Sequence, residues 1–269
     1  MIGSLQDLLA GIRDGDSLAL APDYSGCAMS AVRAVAAAGR RHLHLVGVPT
    51  MGFQADLLIG AGCVDVVETA AVTLGEFGPA PCFTRAVKAG TLRMRDATCP
   101  AIHAALQAAE KGLPFMPLRG ILGSDLLRVR KDWKVMDNPF GCDDPIVLLP
   151  AITPDVALFH AARADRQGNV WVGIRRELIL AAHAARRTLV TVEEIVEDNL
   201  LEDPVLAAGT LPSLYVSGIA RVQRGADPVG LAGSYDPDRE QLARYVQMAA
   251  TEDGFATYMK QHIAADRAA

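Results

Sequence analysis

The 269-residue sequence has no surplus of positive charge, few aromatic residues and no long apolar run. Its 26 Lys and Arg against 31 Asp and Glu leave a formal net charge of −5, the wrong sign for neutralising the phosphates of a nucleic-acid partner. Phe, Tyr and Trp make up 5% of the chain, which argues against a base-stacking surface. Charges interrupt every apolar stretch well short of the ~20 residues that a membrane span needs. The opening MIGSLQDLLAGIRDGD lacks the basic start and apolar run of a signal peptide, so a soluble cytoplasmic protein is expected. The cysteines Cys27, Cys63, Cys82, Cys99 and Cys142 are odd in number, scattered and never paired as C-x-x-C. That pattern speaks against a disulfide framework or a zinc ribbon. His42 and His44 share one strand face with no third ligand nearby, so no metal is expected. There is no G-x-S-x-G elbow, no H-E-x-x-H and no Walker loop.

What is present is core. Hydrophobic residues make up 51% of the chain, which excludes disorder and suffices for one large folded unit. Strand-like runs at 17–21, 42–48, 63–68, 91–95, 114–118, 146–149, 156–160, 170–172, 188–192 and 213–216 alternate with helical spacing. The helical stretches are 5–13, 26–39, 54–59, 84–89, 100–111 and 177–185, with two C-terminal helices within 237–265. Such alternation predicts an α/β fold with a mainly parallel sheet, and no linker divides it, so residues 1–269 are expected to form one domain. Residues 119–145 show no periodicity and predict a long irregular segment.

Ligands of parallel sheets sit where loops leave the carboxyl ends of strands. That points to Ala21–Ser25, Pro49–Phe53, Arg119–Asp125 and His160–Asn169. Asp23 or Ser25 could cap the helix that follows Gly26, and the N–H groups there could instead meet an oxyanion. Arg119, Gly123, Ser124 and Asp125 form a turn that offers donors and an acceptor to a carboxylate or phosphate. His160 at a strand end is a candidate acid or base, followed by a turn through Gly168 and Asn169. Gly60-Ala61-Gly62 is no dinucleotide loop, because a helix precedes it and a strand follows.

Two ordered stretches carry a resemblance. Leu113-Pro114-Phe115-Met116-Pro117-Leu118-Arg119-Gly120-Ile121-Leu122-Gly123-Ser124-Asp125 and Pro150-Ala151-Ile152-Thr153-Pro154-Asp155-Val156-Ala157-Leu158-Phe159-His160, the latter continued by Ala164-Asp165-Arg166-Gln167-Gly168-Asn169, resemble family I CoA-transferase alpha subunits. The likeness is to the glutaconate CoA-transferase type, which is related to the alpha chain of a steroid-ring-cleaving CoA hydrolase. Arg13-Asp14-Gly15-Asp16, Asn138-Pro139-Phe140 and Val192-Glu193-Glu194-Ile195-Val196 support it, and the likeness spans roughly residues 5–262.

The resemblance implies a three-layer α/β/α fold and a beta subunit, expected as an α2β2 heterotetramer, whose glutamate attacks an acyl-CoA thioester. No permanent cofactor is implied; the coenzyme A thioester is the substrate. This chain would shape the acyl-CoA pocket with Asp23, Tyr24, Ser25, Gly26, Arg119, Gly123, Ser124, Asp125, His160 and Asn169. Where relatives carry a Gly-Gly-aromatic-Gly loop it has Ala21-Pro22-Asp23-Tyr24, and where many carry a catalytic-segment Glu it has Cys99, with Asp96 the nearest carboxylate. Cys99 and Asp96 are therefore the candidates for chemistry within the chain itself. The rival readings are the alpha chain of a ring-opening CoA-thioester hydrolase and a non-catalytic ligand-binding protein on the same fold.

Overall fold

Ser17–Leu20 and Val156–Asp165 carry apolar residues on both faces, which is what strands buried between two helical layers require. Leu18, Leu20, Val156 and Leu158 enter one core, while Ala19 and Ala157 enter the opposite one. The computed structural model describes residues 2–266. The chain runs β1 (Ile2–Gly3), α1 (Leu5–Leu9), β2 (Ser17–Leu20), α2 (Met29–Ala37), β3 (Leu43–Gly47), α3 (Phe53–Gly60), β4 (Val64–Thr69), α4 (Pro81–Ala89) and β5 (Arg93–Asp96). It continues through α5 (Cys99–Glu110), β6 (Phe115–Leu118), α6 (Leu126–Val129), β7 (Lys134–Asp137), β8 (Pro145–Pro150), β9 (Val156–Asp165) and β10 (Val170–Trp171). It ends with α7 (Arg176–Ala184), β11 (Arg187–Val196), β12 (Thr210–Leu211), β13 (Gly218–Arg221), α8 (Arg239–Ala249) and α9 (Glu252–Asp266).

The main sheet has the order β1-β13-β11-β9-β2-β3-β4-β5, parallel throughout, with β10 added antiparallel to β9 and β12 antiparallel to β10. Helices α2, α3, α4, α8 and α9 share the large core on one face. Helices α5 and α7 pack through Ile102, Leu106, Ala181 and Ala184 on the other. This is the expected three-layer α/β/α arrangement with a mainly parallel sheet. No helix among the described residues is long and apolar enough to cross a membrane.

Four local expectations are corrected. The 119–145 stretch is not wholly irregular, since it holds α6 and β7. It is anchored by Arg130, 5% exposed, which donates to Glu68 Oε1 (2.7 Å), Asp132 Oδ2 (2.8 Å) and the Asp96 carbonyl (3.1 Å) and lies over the Trp133 ring. Strands β6 and β8 do not join the main sheet but form a separate antiparallel sheet in the order β6-β8-β7. Pro117 has no N–H to give, which suits the edge position of β6. Ser213–Tyr215 is a single 3-10 turn, entered from Pro212, and the last strand is β13. The strand through His160 runs on to Asp165, so His160 stands mid-strand.

Candidate functional site

The loop after β2 turns sharply against the middle of β9. Gly26 has φ +69°, and a Cβ there would strike the His160 carbonyl oxygen, so this crossing requires glycine. The close passage leaves Tyr24 standing 62% exposed, and four clefts share its side chain. The first, about 310 Å³, is walled by Gly26, Ala161, Trp171, Val172, Leu178 and Leu231. The second runs past Asp23, Arg175 and the 229–237 segment. The third lies between Pro22, Met51, Phe53, Leu74 and Leu242. The fourth is polar, lined by His103, Gln107, Glu110, Arg176 and Glu177 of α5 and α7.

Asp23 and Ser25 do not cap α2, as the sequence suggested. That helix starts at Met29 after Ala28, with no side-chain cap. Asp23 instead receives the Phe53 N–H on both carboxylate oxygens (3.1 and 3.2 Å) and so caps α3. Gly52 is needed for that approach, because a Cβ there would collide with the Asp23 carboxylate. Burial pushes the Asp23 carboxyl up to about 6, against the lowering effect of the Phe53 N–H and the Cys27 thiol. Ser25 is fully buried and its hydroxyl donates to Glu177 Oε1, tying the loop to α7.

His160 is fully buried and both ring nitrogens are engaged. Nδ1 meets the Thr191 hydroxyl at 2.8 Å, and Nε2 meets Glu193 Oε1 at 2.7 Å. Glu193 also accepts from the Tyr235 hydroxyl (2.8 Å), the Arg224 N–H (2.7 Å) and the Gly225 N–H (3.1 Å). Burial alone would raise the Glu193 carboxyl; the His160, Tyr235 and Arg224 hydrogen bonds outweigh it and hold the group at about 2. This network fastens the 224–235 segment, and with it the Leu231–Gly233 wall of the first two clefts, to β9 and β11. His160 is thus a buried strut of that wall rather than a free acid or base.

The remaining sequence candidates separate. Asp23, Tyr24, Gly26 and His160 meet at the clefts. Asn169 does not. It is 3% exposed, donates to Asp165 Oδ2 (2.7 Å) and accepts the Ser213 N–H (2.9 Å), holding a turn. Arg119, Gly123, Ser124 and Asp125 line none of the clefts around Tyr24. Arg119 is paired with Asp144, Asp125 with Arg128 (3.0 Å), Ser124 donates to the Ile121 carbonyl (2.8 Å), and Gly123 turns at φ +75°. Cys99 is exposed at the first turn of α5, whose cap is the Thr98 hydroxyl, and Asp96 ends β5; neither reaches those clefts. Sequence reasoning missed Arg175, Glu193 as a half-buried acceptor, and Tyr235. No group of three His, Cys, Asp or Glu among the described residues is arranged to hold a metal.

The coenzyme A transferase family profile matches residues 2–218. The A component of 3-oxoadipate CoA-transferase from Pseudomonas knackmussii is 32% identical over 94% of this chain and 89% of its own length. A 33%-identical protein of Archaeoglobus fulgidus matches over 77% of this chain, which spans just under half (46%) of that longer relative. Among solved structures, glutaconate coenzyme A-transferase from Acidaminococcus fermentans is similar with a TM-score of 0.88 at 28% identity, covering 97% of this chain and 88% of that one. The AibA/AibB decarboxylase, solved as a variant, is similar at 0.86 with 33% identity, covering 98% of both chains. A profile match across most of the length, with the clefts at the strand ends of the same fold, settles the relationship: the chain belongs to the coenzyme A transferase family, among its A-type components.

Proposed function

We propose that this chain is the alpha component of a heteromeric acyl-CoA:carboxylate CoA-transferase, shaping the acyl-CoA pocket while a beta-type partner provides the nucleophilic glutamate. The observation that carries the reading is the convergence of four clefts on Tyr24, in the loop that leaves the carboxyl end of β2 and passes the middle of β9, in a chain of this family. The partner is inferred from the 3-oxoadipate and glutaconate CoA-transferase relatives, each of which is the A component of its enzyme.

In the proposed cycle the partner carboxylate attacks the thioester carbonyl, forming an acyl–glutamyl anhydride and expelling the CoA thiolate. The thiolate then attacks the glutamyl carbonyl, releasing the first carboxylate and leaving a glutamyl–CoA thioester. The acceptor carboxylate reverses these steps, so each C–S bond broken is matched by one formed. This chain holds the acyl group and excludes water around it. Arg175 over the Tyr24 ring, the apolar wall at Trp171 and Leu178, and the Glu193-fastened Leu231–Gly233 wall are the parts that do so. Asp23, in the position of the family loop's aromatic residue, lines the second and third clefts with a carboxyl that burial raises to about 6.

The test is co-expression with a neighbouring beta-type gene, followed by a CoA-exchange assay between an acyl-CoA and a free carboxylic acid. Transfer that needs both chains supports the reading. Free CoA released with no acceptor present would replace it with the thioester-hydrolase reading. The full-length likeness to a decarboxylase favours one further reading, and carbon dioxide released from a dicarboxylic acyl-CoA would establish it. A stable homo-oligomer that binds no acyl-CoA would point to a non-catalytic binding protein.

A further inference from the structure

Of the arginines near strand ends, Arg119 is neutralised: Nε and Nη2 both donate to the Asp144 carboxylate. Arg175 is different. It immediately precedes α7, half-buried, with its guanidinium carbon 5.3 Å from the Tyr24 ring centroid. It lines both the first and the second cleft. Asp23 and Asp236 line the second cleft beside it, yet no ion pair forms at Arg175 among the described residues.

In the first cleft the neighbours of this cation are Ala161, Ala162, Trp171, Val172, Leu178 and Leu231. The imidazole on that lining, His160, is engaged by Thr191 and Glu193. A guanidinium partly withdrawn from water, against apolar walls and without a counter-ion, favours an anion in the same concavity, because the lower local dielectric strengthens the pairing. Its planar fork matches a carboxylate bidentately. A concavity of about 310 Å³ has room for a short acyl chain.

We propose that Arg175 binds the distal carboxylate of the acyl group, so that this chain selects dicarboxylic acyl-CoA substrates over monocarboxylic ones. The proposal rests on the acyl-CoA reading above and names the substrate class of that site. Tyr24 supports the guanidinium from one face, and the apolar walls accept the methylene chain between carboxylate and thioester. A second anion source exists, the phosphates of coenzyme A itself, and the test separates the two.

The full chain, co-purified with its beta-type partner, is titrated calorimetrically with glutaryl-CoA and with butyryl-CoA, which share every phosphate and differ in the distal carboxylate. A charge-assisted pair of about 1.5–3 kcal/mol corresponds to roughly 10–100-fold tighter binding of glutaryl-CoA. Arg175→Gln is expected to bring the two ligands to parity, and Arg175→Lys to restore part of the preference. Equal loss of both ligands in Arg175→Gln would assign the cation to the CoA phosphates and overturn the proposal. Equal affinity of the unsubstituted protein for both ligands would overturn it while leaving the acyl-CoA reading intact. Binding of neither ligand would overturn both.

Discussion

Glu193 offers the sharpest test of how the cleft wall is held. Its carboxyl sits at about 2 where an unperturbed glutamate titrates at 4.5. A folded-state value below the unfolded one means that the stabilisation is fully present above pH 4.5 and is lost as pH falls through 2. At about 1.4 kcal/mol per pH unit, the ~2.5-unit gap corresponds to roughly 3 kcal/mol at neutral pH. Glu193→Gln removes the charge. It also turns a donor toward the Arg224 N–H if its oxygen stays on His160 and Tyr235. Urea unfolding of both proteins between pH 7 and pH 2.5 should show the substituted chain less stable by about 3 kcal/mol at pH 7, about 2 at pH 3.5 and about 1 or less at pH 2.5. A deficit that stays constant across this range would mean that shape, not charge, accounts for the loss. A deficit under about 1 kcal/mol at pH 7 would refute the network as a fastening of the 224–235 segment.

Asp23 should behave with the opposite sign. Its folded value of about 6 lies above the ordinary 3.8, so the protonated form is favoured and folding is opposed increasingly as pH rises from 4 to 6. Asp23→Asn, whose carbonyl can still accept the Phe53 N–H, should therefore match or exceed the parent's stability at pH 8, by up to about 3 kcal/mol, in thermal unfolding; a clear loss at that pH contradicts the burial argument. Arg130→Met leaves the buried Glu68 with Arg95 (3.2 Å) and His44 (3.3 Å) but without its 2.7 Å guanidinium partner, and should cost about 1.5–3 kcal/mol in urea unfolding, with limited proteolysis opening the 119–145 segment first. Tyr245→Phe removes the 2.6 Å hydrogen bond to the buried Asp56 and should cost about 1.5–3 kcal/mol, measured by the same unfolding experiment. Arg119→Gln breaks an exposed pair away from Tyr24 and should leave acyl-CoA binding unchanged by calorimetry.

The layers were legible because each strand carries its own signal. Runs such as Leu18–Leu20 and Leu43–Val46 are apolar on both faces, and Gly39, at φ +68°, closes α2 as the sequence implies. Partners distant in the chain were not legible. Asp23 reads locally as a cap for the next helix; it caps α3 because the parallel sheet brings the loop after β3 beside the loop after β2. His160 reads as a strand end because the apolar run stops there; the strand continues because Thr191 and Glu193 satisfy a buried imidazole that no local pattern could pair. The same limit explains the exchange of arginines. Arg119 looked available because its partner, Asp144, lies 25 residues away and is brought near by the antiparallel pairing of β6 with β8. Arg175 drew no notice, since a lone arginine before a helix has no sequence signature. What sets the two apart is the local excess of charge after folding has paired everything it can, and it falls beside Tyr24, where the clefts meet.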